Sequence, residues 1–301
     1  EVRVWDTDLT EDQLRFVMNQ EIEDNAGQVM GVVLPASITK HDINAVPWSD
    51  LAGYYPMSVY TYTNTDDASG NGHQGALRNL DTVDRQTAPL PYESSQNGDW
   101  DTGTTWTNGN VQYMPGTASI VDPTITVDWN IVRTSHNVTM DNSTLPAGNN
   151  ENRNVLGLYV DANELTLNGD NATNTGSGLT VSHYLSLTGK IDLEGDSQLI
   201  QTEDSDLLVA VNGELEKDQQ GTADTYTYNY WSSPVGDIDT AVNNYRYSVQ
   251  DVMFDGSNPV NFSSSGYNGA ATNPIRIADY WIWKFANLTS DDYSAWQHVR
   301  R

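Results

Sequence analysis

Leu165-Thr-Leu-Asn-Gly169 recurs twenty residues later as Leu185-Ser-Leu-Thr-Gly189, followed by Ile191-Asp-Leu-Glu-Gly195 and then by Val209-Ala-Val-Asn-Gly213. Each unit alternates apolar and polar residues and ends in glycine, which is the period of two of a strand with one buried face. One such segment buries two or three aliphatic side chains worth roughly 1.5–3 kcal/mol each, whereas ordering its backbone costs roughly 1–2 kcal/mol per residue. The segments must therefore stack, and their spacing predicts a coiled β-solenoid with a repeat near twenty residues.

The alternative is a series of hairpins in an ordinary β-sandwich. The turns lack regularly placed two-residue Asn-Gly hairpins, which favours the solenoid. Further strands are predicted at 125–129, 137–140 and 155–160, and Trp100 and Trp106 are expected to cap the first turn of the coil.

The predicted fold class is all-β, with a central β-solenoid-like repeat flanked by partial β-sandwich units and one short N-terminal helix. The predicted domains are a closing strand and helix of a sandwich (1–30), a connector with short strands (31–97), a β-solenoid-like domain (98–224) and the start of a further β-sandwich-like domain (225–301).

Acidic residues dominate the charge of the chain. It has 41 Asp and Glu against 14 Lys and Arg, a formal net charge of -27. Nucleic acids and anionic membranes would repel such a surface, so neither is an expected partner. There is no cysteine to form disulfides and no apolar run as long as a membrane span. Because the sequence opens as a strand already under way, we expect it to be a window of a longer polypeptide.

The N-terminal residues predict a strand followed by an amphipathic helix. Glu1 to Trp5 alternate, and Thr10-Glu-Asp-Gln13 fits a capping box with acids in the first helical turn. The run from Glu1 to Arg15 resembles the closing strand and helix of laminin-G-like (concanavalin-A-like) domains. That resemblance implies a sandwich lying upstream, with its ligand site outside this chain.

Residues 51–301 resemble a recurring module of large flavobacterial (Bacteroidetes) surface proteins exported by the type IX secretion system. The resemblance implies an extracellular location, at the cell surface or secreted, and an adhesin-like class, but no mechanism. The matching segments are Leu51–Tyr55, Thr87–Tyr92, Asp128–Val132, Thr134–His136, Asp192–Gln201, Asp218–Thr222 and Tyr228–Gly236.

The loop around residue 70 is a candidate cation site. Asp66, Asp67, Ser69 and Asn71 offer hard oxygen ligands within six residues, which suits Ca²⁺. The alternative is a polar turn held by its own side chains. The loop also contains G-x-G-x-x-G at 70–75, but without the preceding strand and following helix that a dinucleotide requires.

Paired acids raise the hypothesis of a polysaccharide-active solenoid. Such sites need carboxylates on one face of adjacent turns of the solenoid, usually beside a basic group. Asp192 and Glu194 are expected to share an outward face, with Lys190 two residues from Asp192. Exposed acid pairs are, however, expected anywhere in a chain with this charge.

Trp281 and Trp283 are candidate glycan contacts, because exposed indole rings stack on sugars. The alternative is that, with Phe285, they form the core face of a strand.

Asp81-Thr-Val and Asp239-Thr-Ala resemble the O-glycosylation signal of Bacteroidetes, which would place sugar on Thr82 and Thr240.

The function predicted from these features is a non-enzymatic structural or adhesive segment of a long extracellular protein or filament, acting as a rigid β spacer. A carbohydrate-binding module and a polysaccharide-active enzyme are the alternatives. Ca²⁺ is the one cofactor that the sequence suggests. Expected partners are neighbouring domains or copies of the same protein, and surface polysaccharide.

Overall fold

The computed structural model describes residues 1–35, 46–56, 64–79, 91–107, 114–119, 121–141, 152–203, 205–222, 227–232, 239–245, 247–285 and 295–299. They are mostly strand with little helix, so the predicted all-β class is confirmed. Two compact units are present, Glu1–Gly236 with Ala241–Asn243, and Asp237–Thr240 with Asn244–Arg301.

The first unit holds one α-helix in its described part, α1 (Glu11–Met18), and short 3₁₀ turns at Trp48–Asp50 and Gly103–Thr105. Its strands are β1 (Val2–Trp5), β2 (Ile22–Asn25), β3 (Gln28–Gly31), β4 (Leu51–Tyr55), β5 (Asn64–Thr65), β6 (Gly75–Ala76), β7 (Tyr92–Glu93), β8 (Gly98–Asp99), β9 (Ile131–Thr134), β10 (Val138–Met140), β11 (Asn152–Val160), β12 (Glu164–Leu167), β13 (Gly178–Leu187), β14 (Lys190–Leu193), β15 (Gln198–Gln201), β16 (Asp206–Val209) and β17 (Glu214–Lys217).

Two parallel sheets form the body of this unit. Sheet A has the order β7-β9-β11-β13, and β13 then pairs with both β15 and β16; sheet B has the order β8-β10-β12-β14-β17. Successive strands from β7 to β14 alternate between the two sheets, so each return to a sheet adds the next parallel neighbour.

The repeated segments that begin at Leu165 and Leu185 do not pair with each other. Leu165 pairs with Ile191 in sheet B, whereas Leu185 pairs with Leu158 and Leu207 in sheet A. Two similar alternating segments, one per sheet, therefore lie within most repeats, and residues paired between β9 and β17 are 20 to 27 positions apart, with the shortest offset between β13 and β15.

Aliphatic side chains from both sheets meet in one core. In sheet B, Val138, Leu165 and Ile191 stand in register, and all are fully buried. In sheet A, Leu158 and Leu185 do the same. Sixteen buried residues form this cluster, and the half-buried Leu215 packs against its end. The alternation read from sequence thus places every second residue in one continuous interior.

Glycines mark the corners where neighbouring layers of chain pass closest. A Cβ on Gly189 would lie 2.5 Å from the carbonyl oxygen of Asn163, and one on Gly213 would lie 2.3 Å from that of Leu187. Real Cβ atoms do not approach backbone that closely. The glycines closing the repeats are therefore required for space between layers.

Two tryptophans lie beside the terminal strands β7 and β8. Trp100 is fully buried and Trp106 nearly so, and their rings meet edge to face at 5.2 Å. Each indole nitrogen donates to a backbone carbonyl, Trp100 to Pro115 at 3.0 Å and Trp106 to Trp100 at 2.8 Å. As expected for a cap, these rings fill the core at its first layer.

The N-terminal segment covers the outer face of sheet A. Thr10 and Gln13 form the predicted capping box of α1. Phe16 and Val17 from this helix cluster with Leu156 and Tyr184 of sheet A. β1, predicted to close a sandwich lying upstream, pairs antiparallel with β4 of this chain. Sheet A therefore has both faces covered.

The strand predicted at 125–129 is wrong, and β9 begins after it. The residues after Ile125 instead make side-chain contacts with the helix region: Arg15 lies over the Trp129 ring at 5.5 Å and within 3.5 Å of Asp128. The strands predicted at 137–140 and 155–160 are confirmed as β10 and β11.

The second unit is built from two-stranded pairs. Its described elements include α2 (Val249–Val252) and a 3₁₀ turn at Asp279–Trp281; a further 3₁₀ turn, Thr240–Val242, has residues assigned to both units. Its described strands are β18 (Phe254–Asp255), β19 (Asn258–Pro259), β20 (Asn261–Ser263), β21 (Arg276–Ala278), β22 (Trp283–Phe285) and β23 (Trp296–His298). β18 pairs with β19 and β22 with β23 antiparallel, and β20 pairs with β21 parallel.

Candidate functional site

A cluster of one lysine and three carboxylates lies on the outer face of sheet B. The parallel register sets Glu164 beside Lys190, and Asp192 beside Glu216. The Lys190 Nζ lies 2.7 Å from Glu216 Oε2, 3.4 Å from Glu164 Oε2 and 3.9 Å from Asp192 Oδ2. Carboxylates from three neighbouring strands of sheet B, β12, β14 and β17, thus surround the ammonium group of Lys190.

The electrostatics of this cluster distinguish Asp192 from its neighbours. Its side chain is only 17% exposed, and burial raises its pKa to about 6; the charge of Lys190 opposes this shift, and Glu216 and Glu164 add to it. Burial lowers the pKa of Lys190, but the hydrogen bond that its ammonium group donates to Glu216 and the charges of the surrounding carboxylates raise the pKa above its ordinary value. Asp192 therefore keeps its proton to a higher pH than an ordinary aspartate does.

Of the predicted acid pair, only Asp192 forms an ion pair with Lys190. Asp192 lies in the cluster, but Glu194 follows the last residue of β14, in the turn before Gly195, and the ion pairs of Lys190 are with other acids. Glu164 and Glu216 were missed. Aligning Glu164-Leu-Thr-Leu, Lys190-Ile-Asp-Leu and Glu214-Leu-Glu-Lys by their apolar positions would have found them.

The candidate cation loop is organised around Asp67. Its Oδ1 accepts from the Tyr54 N–H at 2.9 Å, the Ser69 N–H at 3.0 Å and the Ser69 hydroxyl at 2.6 Å, and its Oδ2 accepts from the His73 N–H at 3.0 Å. Burial raises the pKa of Asp67, but these hydrogen bonds outweigh it and lower the pKa to about 2. The ionised carboxylate fastens the loop to β4.

The other predicted ligands have different surroundings. The Asn71 amide nitrogen donates to the Leu51 carbonyl at 2.8 Å, and Asp66 lies beside Asp67 at the start of the turn. No group of three or more His, Asp or Glu that could hold a metal is found within the described ranges. Calcium binding by Asp66, Asp67, Ser69 and Asn71 stays a prediction.

The predicted aromatic strand of the second unit is only partly a strand. Trp281 belongs to a 3₁₀ turn and is 53% exposed, whereas Trp283 opens β22 and is 46% exposed. Phe285 is also exposed. The core alternative is therefore wrong for these rings, since the two-stranded pair β22-β23 leaves them open to solvent.

A pocket of about 430 Å³ lies among the exposed aromatic residues. Tyr267 and Tyr280 meet edge to face at 4.6 Å, and Tyr280 meets Trp281 at 4.9 Å in the same manner. Asp279, Ser264 and His298 add polar groups to the lining. Sequence reasoning named Trp281 but missed the lining residues, which come from three separate stretches of the chain.

Of the two predicted glycosylation positions, Thr240 is exposed at the start of a 3₁₀ turn, and Thr82 falls outside the described residues. The modification itself stays a prediction.

Among the described residues, no helix is long and apolar enough to cross a membrane. No family model, no curated protein and no solved structure matches this chain.

Proposed function

We propose that the chain is a non-enzymatic structural and adhesive segment of a long extracellular protein, and that its first unit is a β-solenoid acting as a stiff spacer. The observation that supports this most directly is the alternation of the chain between sheets A and B around one aliphatic core. Each layer contacts mainly the layers before and after it, as in a solenoid.

Two physical features support stiffness. Neighbouring layers are joined by parallel backbone hydrogen bonds in both sheets, and closely packed interiors resist deformation. The N-terminal segment adds a layer over sheet A, with Leu34 packed against the backbone of Gly157, where a Cβ would lie 2.7 Å from the leucine side chain.

Pulling the single chain by its ends tests the spacer function. Residues 92–217 should unfold cooperatively and release about 45 nm of contour length, at ~3.6 Å per residue. The Leu165→Ala variant should lower the unfolding force and leave this length unchanged. Extension of the wild-type chain without a force peak of that length would refute the spacer.

The proposed location is the surface of a Bacteroidetes cell reached by type IX secretion. The resemblance of residues 51–301 to flavobacterial surface modules supports this, and the net charge of -27 suits a solvated surface. Protease treatment of intact cells expressing the natural protein should remove it. Full protection until the cells are lysed would contradict the location.

Neighbouring domains or further copies of the chain are the proposed partners. In the part of the chain that the structure describes, β15 and β17 each pair with a single strand, and strand addition at their outer edges is the proposed mode of association. Light scattering after size exclusion should show concentration-dependent association. A monomer at all concentrations would count against copies as partners.

A polysaccharide-active enzyme is the second candidate, favoured by Asp192 alone. A carboxyl group with a pKa of about 6 can donate or accept a proton near neutral pH, as glycosidic cleavage requires. Release of reducing or unsaturated ends that disappears in Asp192→Asn, but not in Glu194→Gln, would establish this candidate in place of the spacer.

A further inference from the structure

The pocket of the second unit presents exposed aromatic faces. Tyr267 is 64% exposed and Tyr280 44% exposed, and Trp281 continues the same surface. Contiguous exposed aromatic surface marks interaction sites, since water contact with such rings is unfavourable. The aliphatic residues that are buried in this unit, such as Val260 and Ala278, are not among the lining residues, so the aromatic surface is separate from the unit's buried residues.

Hydrogen bonds and ring contacts connect the aromatic residues beside the pocket. The Trp281 indole nitrogen donates to the Tyr267 carbonyl at 2.7 Å. The His298 Nε2 donates to the Tyr280 carbonyl at 3.0 Å, since a carbonyl oxygen can only accept. The Tyr280 ring is in perpendicular contact with those of Tyr267 and Trp281. Contacts that restrict side chains before binding reduce the conformational entropy lost on binding.

The chemistry of the lining suits a sugar ring. A pyranose has an apolar C–H face, which stacks on an aromatic ring, and a rim of hydroxyl groups. Asp279 and Ser264 supply a carboxylate and a hydroxyl next to the aromatic faces. The volume of about 430 Å³ lies in the range of small-molecule pockets, roughly 300–1,000 Å³.

Charge narrows the choice of sugar. Asp279 is an acid, no lysine or arginine is among those lining residues that the structure describes, and the whole chain carries a net charge of -27. The carboxylate of Asp279 would repel uronic acids and sulfated sugars, so an uncharged sugar is favoured.

We propose that the pocket formed by Tyr267, Tyr280, Asp279, Ser264 and His298 binds one uncharged pyranose residue of a surface glycan. The proposal deepens the adhesive function and rests on it only for the source of the glycan. The sugar stacks on Tyr267 or Tyr280, and Asp279 accepts hydrogen bonds from its hydroxyls.

Saturation-transfer NMR and titration of the full chain with methyl glycosides of glucose, galactose, mannose and N-acetylglucosamine test the proposal. At least one should bind with a Kd of about 1 mM or tighter, as one stacked ring with a few hydrogen bonds can supply. Tyr267→Ala should weaken binding about tenfold or more, and Asp279→Asn by a similar factor. Tyr267→Phe keeps the ring and should stay within about threefold of wild type.

Tyr247→Ala is the matched control, because Tyr247 is an exposed tyrosine of the same unit outside the pocket lining. It should bind as wild type does. The proposal is overturned if no neutral glycoside binds, if glucuronate or choline binds more tightly, or if Tyr247→Ala weakens binding as much as Tyr267→Ala. None of these results bears on the force measurement, so failure of the pocket and failure of the spacer are distinguishable.

Discussion

Replacing Leu165 with alanine tests whether stacked layers carry the stability of the first unit. Leu165 is fully buried and lies in register between Val138 on one side and Ile191 on the other. Leu215 occupies the same face two strands further along sheet B, but it is only half-buried at the end of the core. The two leucines therefore differ in the number of layers that enclose them.

The magnitudes follow from burial. A leucine removed from a closed core costs its transfer free energy and leaves a cavity, so Leu165→Ala should lower the free energy of unfolding by about 3–4 kcal/mol. Leu215→Ala removes a side chain with one layer beside it, and about 1–2 kcal/mol is expected. For a unit of this size, each kcal/mol lowers the melting temperature by roughly 2–4 °C.

Thermal and guanidinium unfolding of the full chain, followed by circular dichroism, measure the difference. Leu208→Ala is the control, since Leu208 belongs to β16 but is 49% exposed, and its loss should change stability little. Equal costs for Leu165→Ala and Leu215→Ala, or a larger cost for Leu215→Ala, would refute the argument that neighbouring layers supply the stability.

Three further predictions concern corners, charge and the polar loop. Gly189→Ala should destabilise the chain by about 1–3 kcal/mol through its clash with backbone, whereas Gly221→Ala, whose Cβ would meet only side-chain atoms at 3.6 Å or more, should be neutral in the same melts. The native pKa of Asp192 is raised from 3.8 to about 6, so protonated Asp192 favours folding below pH 4 and this contribution is lost as the pH rises through 6. At pH 8 the buried charge is unfavourable, so Asp192→Asn should melt at a higher temperature than wild type; an equal or lower melting temperature would contradict this. The pKa of Asp67 is lowered from 3.8 to about 2, so its ionised form stabilises the fold; Asp67→Asn should therefore cost stability above pH 4 and progressively less toward pH 2. Calcium binding would be established if Ca²⁺ raised the wild-type melting temperature, a chelator reversed the rise, and Asp67→Asn showed neither effect.

The sequence correctly predicted several elements that depend on a local rule. The capping box at Thr10 and the alternation in β12 and β14 depend on neighbouring residues along the chain, and both are confirmed. The sequence also showed that a glycine closes each repeat. It did not show that these glycines are needed because the backbone of the next layer passes too close for a Cβ atom.

The candidate site followed the same division. Lys190 and Asp192 were found because they are two residues apart on one strand. Glu164 and Glu216 reach them only through the parallel register of three strands, and register depends on how far the chain travels between layers. Trp281 was assigned a core face as an alternative because alternation alone does not reveal whether a second sheet covers the strand.

By itself, the sequence determined which residues alternate, where the chain must turn, and that an acidic, β-rich protein results. These properties are short-range, since side-chain periodicity and glycine geometry act over a few residues. Only the tertiary structure decided that the repeats alternate between two sheets, that three acids share Lys190, and that Tyr267 and Tyr280 line the same pocket. Each of those facts depends on contacts between segments distant in the chain, which local patterns do not specify.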